Sequence, residues 1–237
     1  ALFAIDAEAI EHRDLMDLGW SLRADDTDAL GRPVRPGLVG MYNTAMAPSS
    51  LSEVCFYPGT GRCTPTAGVR HDWCWNLQLS ALDWSLEGLT GPTLHHVAFQ
   101  GWRPDSVAQR VLAHYRDRID ADPLGGLPSE PTPGALVSFH RNGLDEAGRW
   151  EFPDTSDLLS SPTFVPRNPA ATAGSDVDRT RNAGVEPGGH DGWVVLPVLS
   201  DVRFRVEVFD AATVGNGPVA TLAAPQGTTV PLQLHSA

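Results

Sequence analysis

Short runs of alternating apolar and polar residues, separated by Gly, Pro and Asp, dominate the chain. That rhythm predicts strands and turns. The first run, Leu2 to Ile5, closes on Asp6. Gly37 to Asn43 and Leu51 to Tyr57 follow, the latter ahead of the turn Pro58-Gly59-Thr60-Gly61. Trp73, Trp75, Leu77 and Leu79 alternate with Cys74, Asn76 and Gln78, which predicts a half-buried strand. Leu94 to Phe99, Ala135 to Arg141, Arg149 to Phe152, Gly192 to Val198, Val202 to Phe209 and Val219 to Ala223 continue the series. Phe204, Val206 and Val208 oppose Arg203, Arg205 and Glu207, the cleanest period of two in the chain. Val230, Leu232 and Leu234 alternate again near the last residue. One segment departs from this. Val107, Val111, Leu112, Tyr115 and Ile119 recur at helical spacing, which predicts one amphipathic helix over about residues 106–119 with Asp105 or Ser106 as N-cap. Residues 168–189, polar and almost without aromatics, read as a long surface loop. The expected fold is all-β with one inserted helix, a single domain over 1–237, and no tight internal repeat.

Composition narrows the chemistry. The chain has 237 residues and a formal charge of −12, and all of its 17 basic residues are arginine. Without lysine there is no Schiff base, no lysine general base and no phosphate-loop lysine. An acidic chain with no basic cluster is a poor polyanion binder, which argues against nucleic acid. Gly and Pro are plentiful at 23 and 20, yet 41% hydrophobic content and seven Trp argue for a packed fold rather than disorder. No apolar run reaches the ~18 residues of a membrane-spanning helix. Both ends read as cut from a longer chain, and the compartment is not legible. Cys55, Cys63 and Cys74 contain no C-x-x-C pair, which argues against structural zinc; reduced thiols are expected, with a Cys55–Cys63 disulfide across a hairpin as the alternative.

A group of motifs in the last third carries more. Ser161-Pro162-Thr163-Phe164-Val165-Pro166-Arg167 is similar to E-P-x-F-V-P-R. Asp191-Gly192-Trp193 follows as a D-G-[YW] strand start, Val208-Phe209-Asp210-Ala211 as V-x-D-A, Gly217-Pro218-Val219-Ala220 as G-P-V-A, and Val230-Pro231-Leu232-Gln233-Leu234-His235 as V-P-x-x-F-H. In this order, over residues 161–235, they resemble the C-terminal part of the carotenoid cleavage oxygenases (the retinal pigment epithelial membrane protein and lignostilbene dioxygenase group). Upstream the likeness is looser. Ala1 to Asp6 is similar to a Y-A-L-D turn, Gly31-Arg32 with Gly37 to Asn43 to a T-G hairpin, and Gly91 to Phe99 to G-P-x-M-x-H-D-x-A-F.

The resemblance implies part of a seven-bladed β-propeller and oxidative cleavage of a conjugated C=C bond by O2 at Fe2+ held by neutral imidazoles. It implies an apolar polyene or stilbene-like substrate and admits a peripheral membrane contact. Its implied metal ligands here are His235, His95 and His140, with Ser161 standing where the family has a glutamate that accepts an imidazole N–H behind the metal. Each has a plainer reading beside it. His235 is a polar residue near a terminus, His95 a strand histidine bonded to a neighbour, and Phe139-His140-Arg141-Asn142-Gly143 a β-turn after a strand. His96 occupies the place of the motif's acidic residue. The stretch matching the family's first ligand, Arg23-Ala24-Asp25-Asp26-Thr27-Asp28, has no histidine; either Asp25 or another group replaces it, or the metal has been lost, and a shortened or stitched fragment would leave the same gap. The contrasting function is a catalytically degenerate propeller that binds an apolar ligand or a protein partner. Trp73, Trp75, Trp84 and Trp102 would then line a groove or pack in a core. A carbohydrate-active enzyme has no specific pair of carboxylates to support it.

Overall fold

A computed structural model describes residues 2–5, 22–39, 48–75, 79–81, 94–116, 128–140, 144–167, 191–200, 203–225 and 228. The loop expected over 168–189, the strand expected over Val230 to Leu234, and His12, His190, His235 and Trp84 lie outside these residues. Twelve strands and few helical turns make the described chain all-β, in three separate antiparallel sheets with no closed ring among the described residues. The chain divides into two compact units, Ala1–Leu77 with Gln100–Pro133, and Gln78–Phe99 with Gly134–Ala237. No helix among the described residues is long and apolar enough to cross a membrane.

In the first unit, β1 (Leu2–Ile5), β2 (Pro48–Tyr57) and β3 (Arg62–Trp75) form one sheet in that order. Gly61, at φ +65, makes the turn between β2 and β3. The pairing sets Phe56 opposite Cys63 and Cys55 opposite Thr64, so the two thiols leave opposite faces of the hairpin. Both are free, and the hairpin disulfide is not formed. Gly37 and Leu38, expected in a strand, belong to a 3-10 turn over Pro36–Leu38, because Pro36 at its first position has no N–H to give a ladder. The helix α1 spans Gln109–Arg116 and starts later than its spacing predicts. Pro104–Ser106 makes a separate 3-10 turn, and Val107 after it is extended at φ −130. Asp105 caps nothing there; its carboxylate accepts from Arg103 and pairs with Arg35. Trp102 packs with Val107 and Leu112, and its Nε1–H donates to the Pro128 carbonyl at 2.7 Å, which makes it a core residue with a satisfied polar edge.

The second unit holds two sheets. One has the order β4 (Leu79–Ala81), β5 (Leu94–Phe99), β6 (Ala135–His140) and β7 (Glu146–Glu151). The other runs from β12 (Pro218–Ala223) through β11 (Phe204–Asp210) and β10 (Gly192–Leu199) to β8 (Leu158–Leu159), with β9 (Thr163–Pro166) also on β10. Ala98 and Leu136 of the first sheet share one core with Leu159, Val194, Leu196, Val198 and Phe209 of the second, joined by Phe152, Ala211 and Val214. Each large member contributes about 1.5–3 kcal/mol by leaving water.

The period of two in β11 does not put its apolar trio inside. Its register sets Phe209 on Val194, Glu207 on Leu196 and Arg205 on Val198, so the charged side chains share the core face while Phe204, Val206 and Val208 are half-buried on the other. Arg205 makes this tolerable. Its guanidinium donates to Asp157 at 2.9 Å and to Glu207 Oε1 at 2.6 Å, and both carboxylates are buried. The hydrogen bond to Asp157 heads the causes that raise the Arg205 pKa, ahead of burial, which opposes it. Replacing Arg205 by Met strands two buried carboxylates, and a loss of about 3–5 kcal/mol is expected in urea unfolding. A loss of less than about 1 kcal/mol would contradict the buried arrangement.

Gly192 is a second fixed point. A Cβ there would stand 2.5 Å from the Phe164 ring and 2.6 Å from the Val165 carbonyl oxygen. Gly192→Ala is expected to cost about 1–3 kcal/mol in thermal unfolding, because β9 cannot stay paired at that spacing.

Candidate functional site

Three of the motif segments converge on one side chain. Arg167, just beyond β9, sends Nε to Asp191 at 2.7 Å and a terminal nitrogen to Asp210 at 2.8 Å. Its guanidinium lies 4.1 Å from the centre of the Trp193 ring. Asp191 precedes β10 and Asp210 ends β11, so the arginine of P-R, the aspartate and tryptophan of D-G-W and the aspartate of V-x-D-A form one cluster. Asp210 also accepts from the Ala212 backbone N–H at 3.0 Å, which turns the chain after β11. The fourth segment joins through Gly217. Its φ of +88 favours glycine, and a Cβ would meet the Trp150 ring at 2.8 Å. The arginine, aspartates, tryptophan and glycines of these segments thus have a packing or pairing reason, Gly217 against Trp150 of the neighbouring sheet.

The residues implied as metal ligands fall differently. His95 is buried in β5, opposite Phe139. His140 ends β6 opposite Leu94 and is exposed; its backbone N–H donates to the Asp145 carbonyl at 2.7 Å, just ahead of β7. Successive side chains alternate across a strand, so the imidazoles of His95 and His140 leave opposite faces of the same sheet. His96 is on the core face, and its Nδ1 meets the Ser138 hydroxyl at 2.8 Å, a buried cross-strand pair. Ser161 is buried between β8 and β9 and brings no charge. His235 lies outside the described residues.

In the first unit, the stretch matching the family's first ligand has its carboxylates engaged by arginines. Arg110 donates to both oxygens of Asp26, at 2.7 and 3.0 Å, and Arg32 donates to Asp28 at 2.8 Å, while Asp25 is exposed. Among the described residues, no three His, Cys, Asp or Glu side chains come together as a metal site. The described residues alone therefore do not assemble a four-imidazole iron cup. Sequence reasoning missed the Arg110–Asp26 and Arg205–Asp157 pairs. Their separations of 84 and 48 residues leave no local spacing to find them by.

Burial alone would push the Asp26 carboxyl up. The Arg110 hydrogen bond, the Arg23 N–H and the charges of both arginines outweigh it and hold the pKa below the usual value. A carboxyl depressed on folding stabilises above its unfolded pKa of about 3.9 and loses that contribution as pH falls through the folded value. Stability is therefore expected to fall on acidification below about pH 4, and Asp26→Asn to flatten part of that slope in pH-dependent urea unfolding. An unchanged slope would show that Asp26 titrates alike in both states.

Arg167 is nearly half exposed, at 44% of its side chain. Its two ion pairs and ring contact together are worth about 1–2 kcal/mol. Arg167→Met is expected to cost that much in urea unfolding, less than Arg205→Met, and to shift the fluorescence of Trp193.

No protein-family model matches the chain, and no curated protein matches it. A solved structure similar to it is a single-site mutant of the apocarotenoid oxygenase of Synechocystis, at 16% identity and a TM-score of 0.44. The alignment covers 79% of this chain and 29% of that one, so the chain spans less than a third of the enzyme's length.

Proposed function

We propose that this chain is part of a carotenoid-oxygenase-like β-propeller that takes up an elongated, conjugated apolar molecule, a polyene or stilbene-like compound, for oxidative cleavage with O2. One observation carries the reading. Arg167 joins Asp191 and Asp210, drawing three motif segments of the resemblance into one sheet, and Gly217 seats the fourth against Trp150. Strings matched by chance, 24 and 43 residues from Arg167 to its two partners, have no reason to meet on one guanidinium. The kinship is thus supported by packing as well as by order along the chain.

The catalytic half of the proposal draws on residues beyond this sheet. Fe2+ is the metal that the resemblance implies for splitting the double bond. Of the implied ligands, His95 has the burial a ligand needs, and His235 and His140 are the other residues of this chain that the resemblance ties to the reading. No step through iron is assigned to the described residues. A second reading, a catalytically degenerate propeller that binds an apolar ligand or a protein partner, is favoured by the opposite faces of His95 and His140 and by the uncharged Ser161.

Metal analysis and a polyene assay separate the two. Iron near one per chain in the purified protein, with loss of the visible absorbance of an added apocarotenoid under air, is the expected outcome. His235→Ala should then lower both. Metal-free protein whose tryptophan fluorescence is quenched by the same compound without its consumption would leave the binding reading. Absence of both quenching and consumption would overturn the two together.

A further inference from the structure

We propose that the outer edge of β12 pairs with β12 of a second copy of this chain, antiparallel, across a two-fold axis beside Leu222. Among the described residues no strand lies on that edge, and Val219 to Ala223 are exposed, Val219 at 58% and Leu222 at 62%. Edge strands are ordinarily blunted by a charge, an inner proline or a covering segment. Pro218-Val219-Ala220-Thr221-Leu222-Ala223 holds no charge, and no proline after its first residue.

The backbone fixes the register. Ala224 donates its N–H to the Phe204 carbonyl at 3.0 Å, and Leu222 stands opposite Val206. Alternation turns the backbone groups of Leu222 toward β11 as well, and those of Thr221 and Ala223 outward. A pair centred on Leu222 sets Thr221 opposite Ala223 of the second copy, and Ala223 opposite its Thr221, so each couple exchanges both bonds. At the next rung Pro225 has no N–H to give, and the register shift beside Val208 and Phe209 bends the strand near Val219. The ladder is thus confined to the two residues that face outward.

The same centre names the occupant. A two-fold axis brings identical side chains together, which a charged residue there would oppose. The two Leu222 would stand about 4.5 Å apart at their Cα atoms, each covering the other, with only Ala220 and Ala224 beside them on that face. Residues 220–224 of each copy are far fewer than the roughly 20–30 a side of a standard interface, and two chains of charge −12 repel at long range. The pair is therefore a weak one. A propeller's outer strands lie on its rim, away from the axis, so this contact is compatible with the oxygenase reading and does not rest on it.

Sedimentation velocity on the full chain reads the pairing, with a dimer expected at a Kd of about 10 μM to 1 mM. Leu222→Lys sets like charges face to face, and Thr221→Pro removes an outward donor while leaving the bonds to β11. Each should weaken the dimer about tenfold or more. Mixing Leu222→Lys with Leu222→Glu should restore it, because across this axis the two substituted side chains meet. Amide exchange on the parent chain supplies an arm without substitutions. At about ten times Kd, Thr221 and Ala223 should exchange about fivefold more slowly than in dilute solution, with Leu222 unchanged. A monomer up to about 1 mM would overturn the proposal, as would a dimer that Leu222→Lys leaves intact. Edge amides protected alike at every concentration would overturn it too, giving the edge to the chain itself.

Discussion

A half-buried guanidinium decides which way β11 faces. Arg205 holds Asp157, from the segment before β8, and Glu207, two residues along its own strand. Two buried carboxylates would be costly without it, and a one-residue slip of β11 would carry Arg205 and Glu207 together to the other face, away from Asp157. The rest of the sheet follows from that register. Phe209 enters the core against Phe152, their rings edge to face at 6.3 Å, and Asp210 comes to the end of the strand where Arg167 can reach it.

The two arginines work at different depths. The core residues around Phe209 together outweigh the exposed Arg167 contacts several-fold, so Arg167 contributes mainly by fixing how β9, β10 and β11 end together. This bears on what the motif resemblance means. Its aspartates, glycines and arginine are needed by strand geometry, and a chain can keep them whatever becomes of a metal elsewhere. Kinship and catalysis rest on separate residues here, which is why the sheet supports the first more strongly than the second.

Much of the strand pattern is legible in the sequence. Leu94 to Phe99 matches β5 residue for residue, and the bounds of β6, β10 and β12 differ from their expected ones by one residue. Alternation marks strands well because a sheet has a period of two. It does not say which set is inside. In β11 a distant aspartate overrides hydropathy, and nothing near Arg205 announces Asp157. The start of α1 was displaced for a comparable reason: Asp105, a good cap by type, is engaged by Arg35 and Arg103. The candidate site was less legible still. The F-H and H-H strings carry no information on strand faces, and only the β5–β6 register separates His95 from His140.

Ionic strength divides the two arginine clusters. Dissolved salt reaches the half-exposed Arg167, and at about 1 M the screening length shrinks to roughly 3 Å, close to the length of its ion pairs. Arg205, with its partners sealed under the sheet, is shielded from that screening. The attachment of β9 is thus the part of this fold that brine loosens first, while the orientation of β11 persists.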